Sequence, residues 1–353
     1  MLECDHSSPL SIRKISRIAS TLGPSHDHSR ESRMKAIIYR AFGSPGVLEW
    51  VEDWPRPTPG KGEVLVKVRA GGLNPKDILL RKGAFHPFLG FLDREPLPRV
   101  SGLDMAGELV EKGDDVNDFS VGDAVAGMSN RFHGGVHAEF ALLKADEVAL
   151  CPTGVGWNEA AAIPLAGLTA LQALRDCANV KPGQNVLING ASGGVGHFAV
   201  QIARNLGATV TAVCSERNLH FVSELGANHA VDYQQTPAPA INGPFDCIFD
   251  AFGNYRAHDF RDSLGPGGIY VNTIPSRSTL PAEGLARLGV QKRSRLVLVH
   301  SNLADLEVLR QWVNEGKLRA HIDKVYPFYH VEDAHRHIET RHTRGKVVLE
   351  ATC

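Results

Sequence analysis

The chain has 353 residues, long enough for two domains with separate cores, and its 38 Lys and Arg nearly cancel 39 Asp and Glu. That balance gives no net field for a polyanion, and no basic cluster with interleaved aromatics argues for nucleic acid. No stretch approaches the ~20 consecutive apolar residues of a membrane-spanning helix, and six widely spaced cysteines (Cys4, Cys151, Cys177, Cys214, Cys247, Cys353) suggest neither a disulfide framework nor a zinc knuckle, which fits a reducing compartment.

Residues 1–33 are Ser- and Arg-rich and poorly periodic, and a disordered extension is expected there, ahead of "MKAIIYRAFG". The composition also suits a mitochondrial transit peptide, but Glu3, Asp5, Asp27 and Glu31 are more acid than such peptides usually carry. A cytoplasmic location is therefore expected, with the mitochondrion as the alternative. Residues 34–156 read as short strands broken by Gly and Pro, with period-2 alternation at Val64, Val66 and Val68. From Trp157 the texture changes. A helix "WNEAAAIPLAGLTALQALRD", a strand "NVLING", a helix over 194–206 and a strand "TVTAVCS" open a run of strand and helix units through residue 317. That alternation predicts an α/β fold with right-handed crossovers and a parallel sheet covered on both faces. Residues 318–353 return to mixed text and are expected to rejoin the first domain.

Between the strand "NVLIN" and its helix, Gly190, Gly193 and Gly196 recur at spacing three within "NGASGGVG". The first glycine permits a tight turn, the second lets the main chain approach a pyrophosphate, and the third lets helix and sheet pack closely. Free N–H groups at the helix start then face the phosphates, making Ser192, Gly194 and Val195 candidates beside the three glycines. Val195, Phe198, Ala199, Ile202, Ala203 and Leu206 fall on one helix face, which is expected to be buried. At the end of the second strand, Cys214 and Ser215 stand where an NAD site carries a carboxylate. Ser215, Arg217 and Asn218 suit a 2′-phosphate instead, so NADPH is expected. Glu216 is the competing reading, since a strand ending one residue later makes it the discriminating acid.

"PRPTPGKGEVLVKVRAGGLNPKD", "GLDMAG", "GGVHAEFALL", "AAIPLAGLTALQAL", the glycine segment, "LGANHAVDY" and the terminal "GKVVL" together resemble the medium-chain dehydrogenase/reductases. The branch most similar is the zinc-free quinone oxidoreductases, which include zeta-crystallin. The resemblance runs from Met34 to Ala351. It implies a GroES-like domain over 34–156, a Rossmann domain over 157–317, a C-terminal return over 318–353, an active site in the cleft and a homodimer. It also implies no metal. Where zinc alcohol dehydrogenases place ligands, this chain has Asn74, Leu103 and Ala166, of which the last two cannot ligate and the first is a poor ligand. His133 and His137 in "HGGVH" and His335, His337 and His342 read as structural, the last three as surface helix residues.

Without zinc to polarise a carbonyl, the resemblance implies hydride transfer from NADPH to a quinone or an α,β-unsaturated carbonyl. Asn74 in "NPKD" is expected to orient substrate or nicotinamide ribose, Lys76 to act electrostatically or as a proton donor, and Asp77 to tie the loop by hydrogen bonds, with a proton-relay role as its alternative. On the cofactor side the resemblance adds Thr169, Tyr233, Phe252, Gly253, Asn272, Thr273, Ser301 and Asn302, with plainer alternatives for Thr169 as a helix residue bonding its own backbone, Tyr233 as a strand-end aromatic and Asn302 as a helix N-cap. Leu79 departs from the Tyr frequent in this branch. Phe85, Phe88 and Phe91 either line the substrate mouth or anchor a long loop. An enoyl-thioester reductase and a non-catalytic NADPH-binding or crystallin-like protein are the alternative functions.

Overall fold

The computed structural model describes residues 33–85, 96–274, 281, 283–285, 288 and 293–351. The expected extension, apart from Arg33, lies outside them, as do Phe88 and Phe91. In the first part of the chain β1 (Arg33–Tyr39), β2 (Leu48–Pro55) and β3 (Glu63–Leu73) lead into helix α1 (Pro75–Arg81), followed by β4 (Arg99–Val100), β5 (Asp104–Lys112), β6 (Ala124–Met128), β7 (Phe140–Lys144) and β8 (Val148–Leu150). Helices α2 (Trp157–Ala162) and α3 (Pro164–Leu171) lead to β9 (Asn185–Asn189), α4 (Gly196–Asn205), β10 (Thr209–Cys214), α5 (Leu219–Glu224) and β11 (His229–Asp232). Then come β12 (Phe245–Asp250), β13 (Leu264–Asn272), β14 (Ser294–Leu296), α6 (Leu303–Asn314), β15 (Ile322–Pro327), α7 (Val331–Glu339) and β16 (Lys346–Glu350).

The apolar runs of β9, β10 and β12 are buried at nearly every position, as strands covered on both faces must be. They form a six-stranded parallel sheet in the order β11-β10-β9-β12-β13-β14. Chain order reverses between β9 and β12, and a doubly wound sheet opens its binding crevice at the carboxyl ends of such a pair. Here those ends are Asn189 and Asp250, which lie opposite each other. The other large sheet runs β15-β16-β3-β5-β6-β8, with β7 also on β3. β16 pairs antiparallel with β3, from Val347 opposite Leu73 to Glu350 opposite Ala70. The start of β16 thereby sits beside the start of α1.

Two helices differ from the periodicity. The run from Trp157 is broken at Ile163, because Pro164 has no N–H to donate and instead starts α3. Helix α4 is buried from Gly196 through Ala203, well beyond its apolar stripe. Residues 319–321 cover its polar side: Gln201 Nε2 donates to Arg319 O at 3.0 Å and its Oε1 accepts Arg319 N–H at 2.9 Å. A polar face covered by hydrogen-bonding backbone costs little to bury, and local sequence carries no sign of it.

Candidate active site

The glycine turn has the form its spacing requires. Gly190 has φ +76°, a left-handed conformation, and a Cβ there would lie 2.9 Å from that of Phe252. A Cβ on Gly196 would lie 2.1 Å from the Gly190 carbonyl oxygen, so helix and turn can approach this closely only without one. Gly193 N–H donates to Gly190 O at 3.0 Å.

A cavity of about 330 Å³ opens over this turn. Eight of the residues picked from sequence line it: Gly190, Ser192, Gly193, Ser215, Arg217, Asn218, Tyr233 and Phe252. Asn218 Nδ2 binds both Ser192 Oγ and Ser215 Oγ at 3.1 Å, clamping the end of β10 to the glycine turn. β10 ends at Cys214, and Glu216 is exposed and does not line the cavity. The far wall was not visible in the sequence. It is the turn of Thr340, Arg341, His342 and Thr343 between α7 and β16, and Arg217 Nη2 donates across to His342 O at 3.1 Å.

Asp250, also missed, organises the crevice. Fully buried, it accepts from Asn189 Nδ2 (2.8 Å), the N–H of Gly253 (2.8 Å) and of Tyr255 (3.0 Å), and Tyr270 OH (3.0 Å). Burial, reinforced by the Asp250 charge, pushes the Tyr270 phenol far up, so it stays a donor. Asn272, at the end of β13, is buried and its Oδ1 has no hydrogen-bond partner among the described residues. Thr273 Oγ1 reaches Ala251 O only at 3.5 Å.

On the opposite side, the Asp77 side chain caps the start of α1, its Oδ2 accepting Asn74 N–H at 2.8 Å, while Asp77 N–H donates to the Asn74 carbonyl at 3.0 Å. The Asn74 amide turns inward and is 2% exposed. Its Nδ2 donates to Asp104 Oδ2 (3.0 Å) and Gly72 O (3.3 Å), and its Oδ1 accepts from Lys346 Nζ. Lys346 also faces Asp104 Oδ2 at 3.4 Å, while Asp104 Oδ1 accepts Leu165 N–H at 2.8 Å. Burial pushes the Asp104 carboxyl up and the Lys346 ammonium down, each opposed by the other's charge. Burial and the neighbouring Asp104 push Asp77 up to about 7. Lys76 is half-buried, and burial lowers its ammonium despite Asp77 and Asp104.

Residues 60–153 match the model for the alcohol dehydrogenase GroES-like domain, and residues 225–349 that for zinc-binding dehydrogenase. A chloroplast envelope quinone oxidoreductase homolog of Arabidopsis thaliana is 35% identical over 328 residues, covering 90% of this chain and 98% of that protein. The mitochondrial NAD(P)H oxidoreductase RTN4IP1 of Homo sapiens is 31% identical over 377 residues, covering 96% of this chain and 92% of its own. The solved quinone oxidoreductase of Coxiella burnetii superposes with a TM-score of 0.81 at 35% identity, over 91% of this chain and all of that one. The chain belongs to the medium-chain dehydrogenase/reductases, in their quinone oxidoreductase branch. It is an oxidoreductase with a nicotinamide nucleotide as cofactor.

Several residues expected at the site of this medium-chain reductase are engaged elsewhere. Thr169 Oγ1 donates to Leu165 O at 2.7 Å within its own helix. Ser301 exchanges two hydrogen bonds with the Asn130 side chain (2.7 and 2.9 Å), and its Oγ donates to Glu147 O at 3.0 Å, so it staples the nucleotide half to the GroES-like half. Asn302 caps α6, accepting Asp305 N–H at 2.9 Å. Neither lines the cavity. The histidine reading also needs correction: His335 is 1% exposed on the inner face of α7, and His342 lies beyond that helix, in the cavity wall. Only His337 fits, partly exposed and bonded to Tyr326 OH. Phe85 packs edge-on against Phe132 at 5.6 Å, an anchoring contact, and Leu79 packs partly buried against the nucleotide-domain core. Leu103 and Ala166 are core residues, and among the described residues no three His, Cys, Asp or Glu side chains converge as a metal site.

Proposed function

We propose that this chain is an NADPH-dependent, zinc-independent reductase that passes hydride to a quinone or an α,β-unsaturated carbonyl. The observation that carries the nucleotide choice is the end of β10, where Ser215, Arg217 and Tyr233 line the cavity, whereas Glu216 is exposed and does not line it, and neither does Asp232 at the end of β11. Arg217 brings positive charge to that end, suited to a 2′-phosphate, and Arg341, over the Phe252 ring, adds a second cation to the cavity wall. Gly190, Ser192, Gly193, Gly194, Val195 and Gly196 cradle the pyrophosphate, Phe252 and Gly253 border it, and Asn272 Oδ1 offers a buried acceptor toward the nicotinamide end, with Thr273 beside it.

Bound NADPH supplies the hydride. The protein's part is to hold donor and acceptor together and to stabilise the charge that develops on the acceptor oxygen. In this reading Asn74 and Asp77 shape the acceptor-side loop from within, and half-buried Lys76 provides the positive charge. Zinc independence rests on the residues themselves: Leu103 and Ala166 offer no ligand, and the Lys346 ammonium on Asn74 would repel a divalent cation. We place a homodimer contact at β14, the last strand of the parallel sheet, just beyond which Leu298 is 44% exposed. Four free cysteines among the described residues suit a reducing compartment, and no helix among those residues is long and apolar enough to cross a membrane.

The test is steady-state NADPH oxidation with one quinone, one alkenone and one enoyl-CoA. Turnover on the quinone or alkenone is expected. Turnover on enoyl-CoA alone would favour the thioester reductase, and saturable binding without turnover would contradict the enzyme reading.

A further inference from the structure

We propose that Lys346 is a positioning residue that carries the arrival of a nucleotide at the glycine turn to the "NPKD" loop on the acceptor side. The inference rests on the reading of the two sites given above, and its geometry is independent of any acceptor. Lys346 is 3% exposed and spans from one site to the other. At its root, Gly345 N–H donates to Ser192 O at 2.9 Å, on the glycine turn itself. Along its stem, a Cβ built on Gly194 would lie 3.4 Å from Lys346 Cδ, so the methylenes lie directly against the turn. At its tip, the ammonium meets Asn74 Oδ1 and Asp104 Oδ2.

A second strand of contacts runs in parallel. Lys346 N–H donates to His321 O at 2.8 Å, His321 N–H donates to His197 Nε2 at 3.2 Å, and His197 Nδ1 lies 3.0 Å from Gly193 O. Because Nε2 accepts, Nδ1 carries the proton and donates to Gly193. Burial holds this imidazole at about 3, so the arrangement persists at neutral pH. Both routes from β16 thus end on the turn expected to hold the pyrophosphate.

The chemistry of the tip argues for direction rather than mere adhesion. A buried ion pair adds little stability that apolar side chains of the same volume would not. An ammonium shared between one amide oxygen and one carboxylate, however, fixes where both of them sit. Asn74 then fixes the loop, since its main-chain N–H is held by Asp77. Movement of β16 against the turn is therefore transmitted to α1, whereas an apolar residue at 346 would let the two slide.

Hydrogen exchange with and without NADPH tests this on the wild type, Lys346→Met and Lys346→Arg. NADPH should slow exchange at both 189–200 and 74–82 in the wild type, only at 189–200 in Lys346→Met, and at both again in Lys346→Arg. The Met variant should also lose about tenfold in kcat/KM for the acceptor while its NADPH Kd stays within about threefold. Equal protection of 74–82 in wild type and Lys346→Met would overturn the proposal, as would an NADPH affinity that falls as far as the acceptor value. Should Lys346→Met fail to fold, Asn74→Ala cuts the same link, leaves the Lys346 and Asp104 pair, and should lose the 74–82 protection. Absence of protection at 189–200 in the wild type would instead refute the nucleotide reading, and this inference with it.

Discussion

Replacing His335 by Leu should make the protein less sensitive to acid. His335 lies among Val331, Ala334 and Ile338 on the inner face of α7, and neither ring nitrogen has a hydrogen-bond partner among the described residues. The charged and titratable groups facing it are Arg81 from α1 and His137 from the "HGGVH" turn. Burial, reinforced by Arg81, pushes the imidazole from 6.5 down to about 3. In that interval the unfolded chain takes up a proton that the folded chain refuses. The stability from neutral His335 is therefore complete above pH 6.5 and is lost as pH falls toward 3. At pH 5.0, one and a half units below the unfolded value and at about 1.4 kcal/mol per unit, the loss is about 2 kcal/mol. Leu has no proton to gain and matches the apolar neighbours of α7. Asp77, pushed up to about 7, changes stability in the opposite sense on acidification, and His137, lowered to about 4, in the same sense. Both are common to wild type and variant, so they cancel in the comparison. Urea unfolding of each protein at pH 7.5 and 5.0 should show the wild type losing about 2 kcal/mol more than His335→Leu across that interval. Equal losses would refute the reasoning.

Three further substitutions separate the site from its scaffold. Gly196→Ala places a Cβ 2.1 Å from Gly190 O, so it should cost about 1–3 kcal/mol in thermal or urea unfolding and weaken NADPH at least tenfold by fluorescence titration. Asp250→Asn turns an amide donor toward groups that already donate, Tyr255 N–H and Tyr270 OH among them; a loss of about 1–3 kcal/mol in unfolding is expected, with a raised KM for NADPH. Ser301→Ala removes only the hydrogen bond to Glu147 O, and should cost about 1 kcal/mol of stability while leaving the KM for NADPH within about twofold.

What was legible in the sequence was local. Strand, glycine turn and helix follow one another from Asn185 to Asn205, and the tightest steric demand of the turn acts between residues only six apart, Gly190 and Gly196, although Gly190 also faces Phe252. Ser215, Arg217 and Asn218 were found for the same reason, as they follow directly on β10. Lys346 was not, because Asn74 is 272 positions away and only the pairing of β16 with β3 brings the two together. The 340–343 wall depends on that same return. Asp250 looked like one more strand residue, since its four hydrogen-bond partners come from three separate segments. Ser301 and Asn302 are expected near the nicotinamide by resemblance alone, and the roles their hydrogen bonds show, a domain seam and a helix cap, are a separate matter of tertiary contact and local capping.

The central claim is that the end of β10 selects NADPH for a reductive reaction. Stopped-flow oxidation of NADPH and of NADH against a quinone, by the wild type and by Arg217→Ala, tests it most directly. The account predicts rapid NADPH oxidation by the wild type and a preference over NADH that falls in the variant by about 10- to 100-fold, the worth of one or two charge-assisted hydrogen bonds. A wild type that oxidises NADH as well as NADPH, or a preference unchanged by Arg217→Ala, would contradict it.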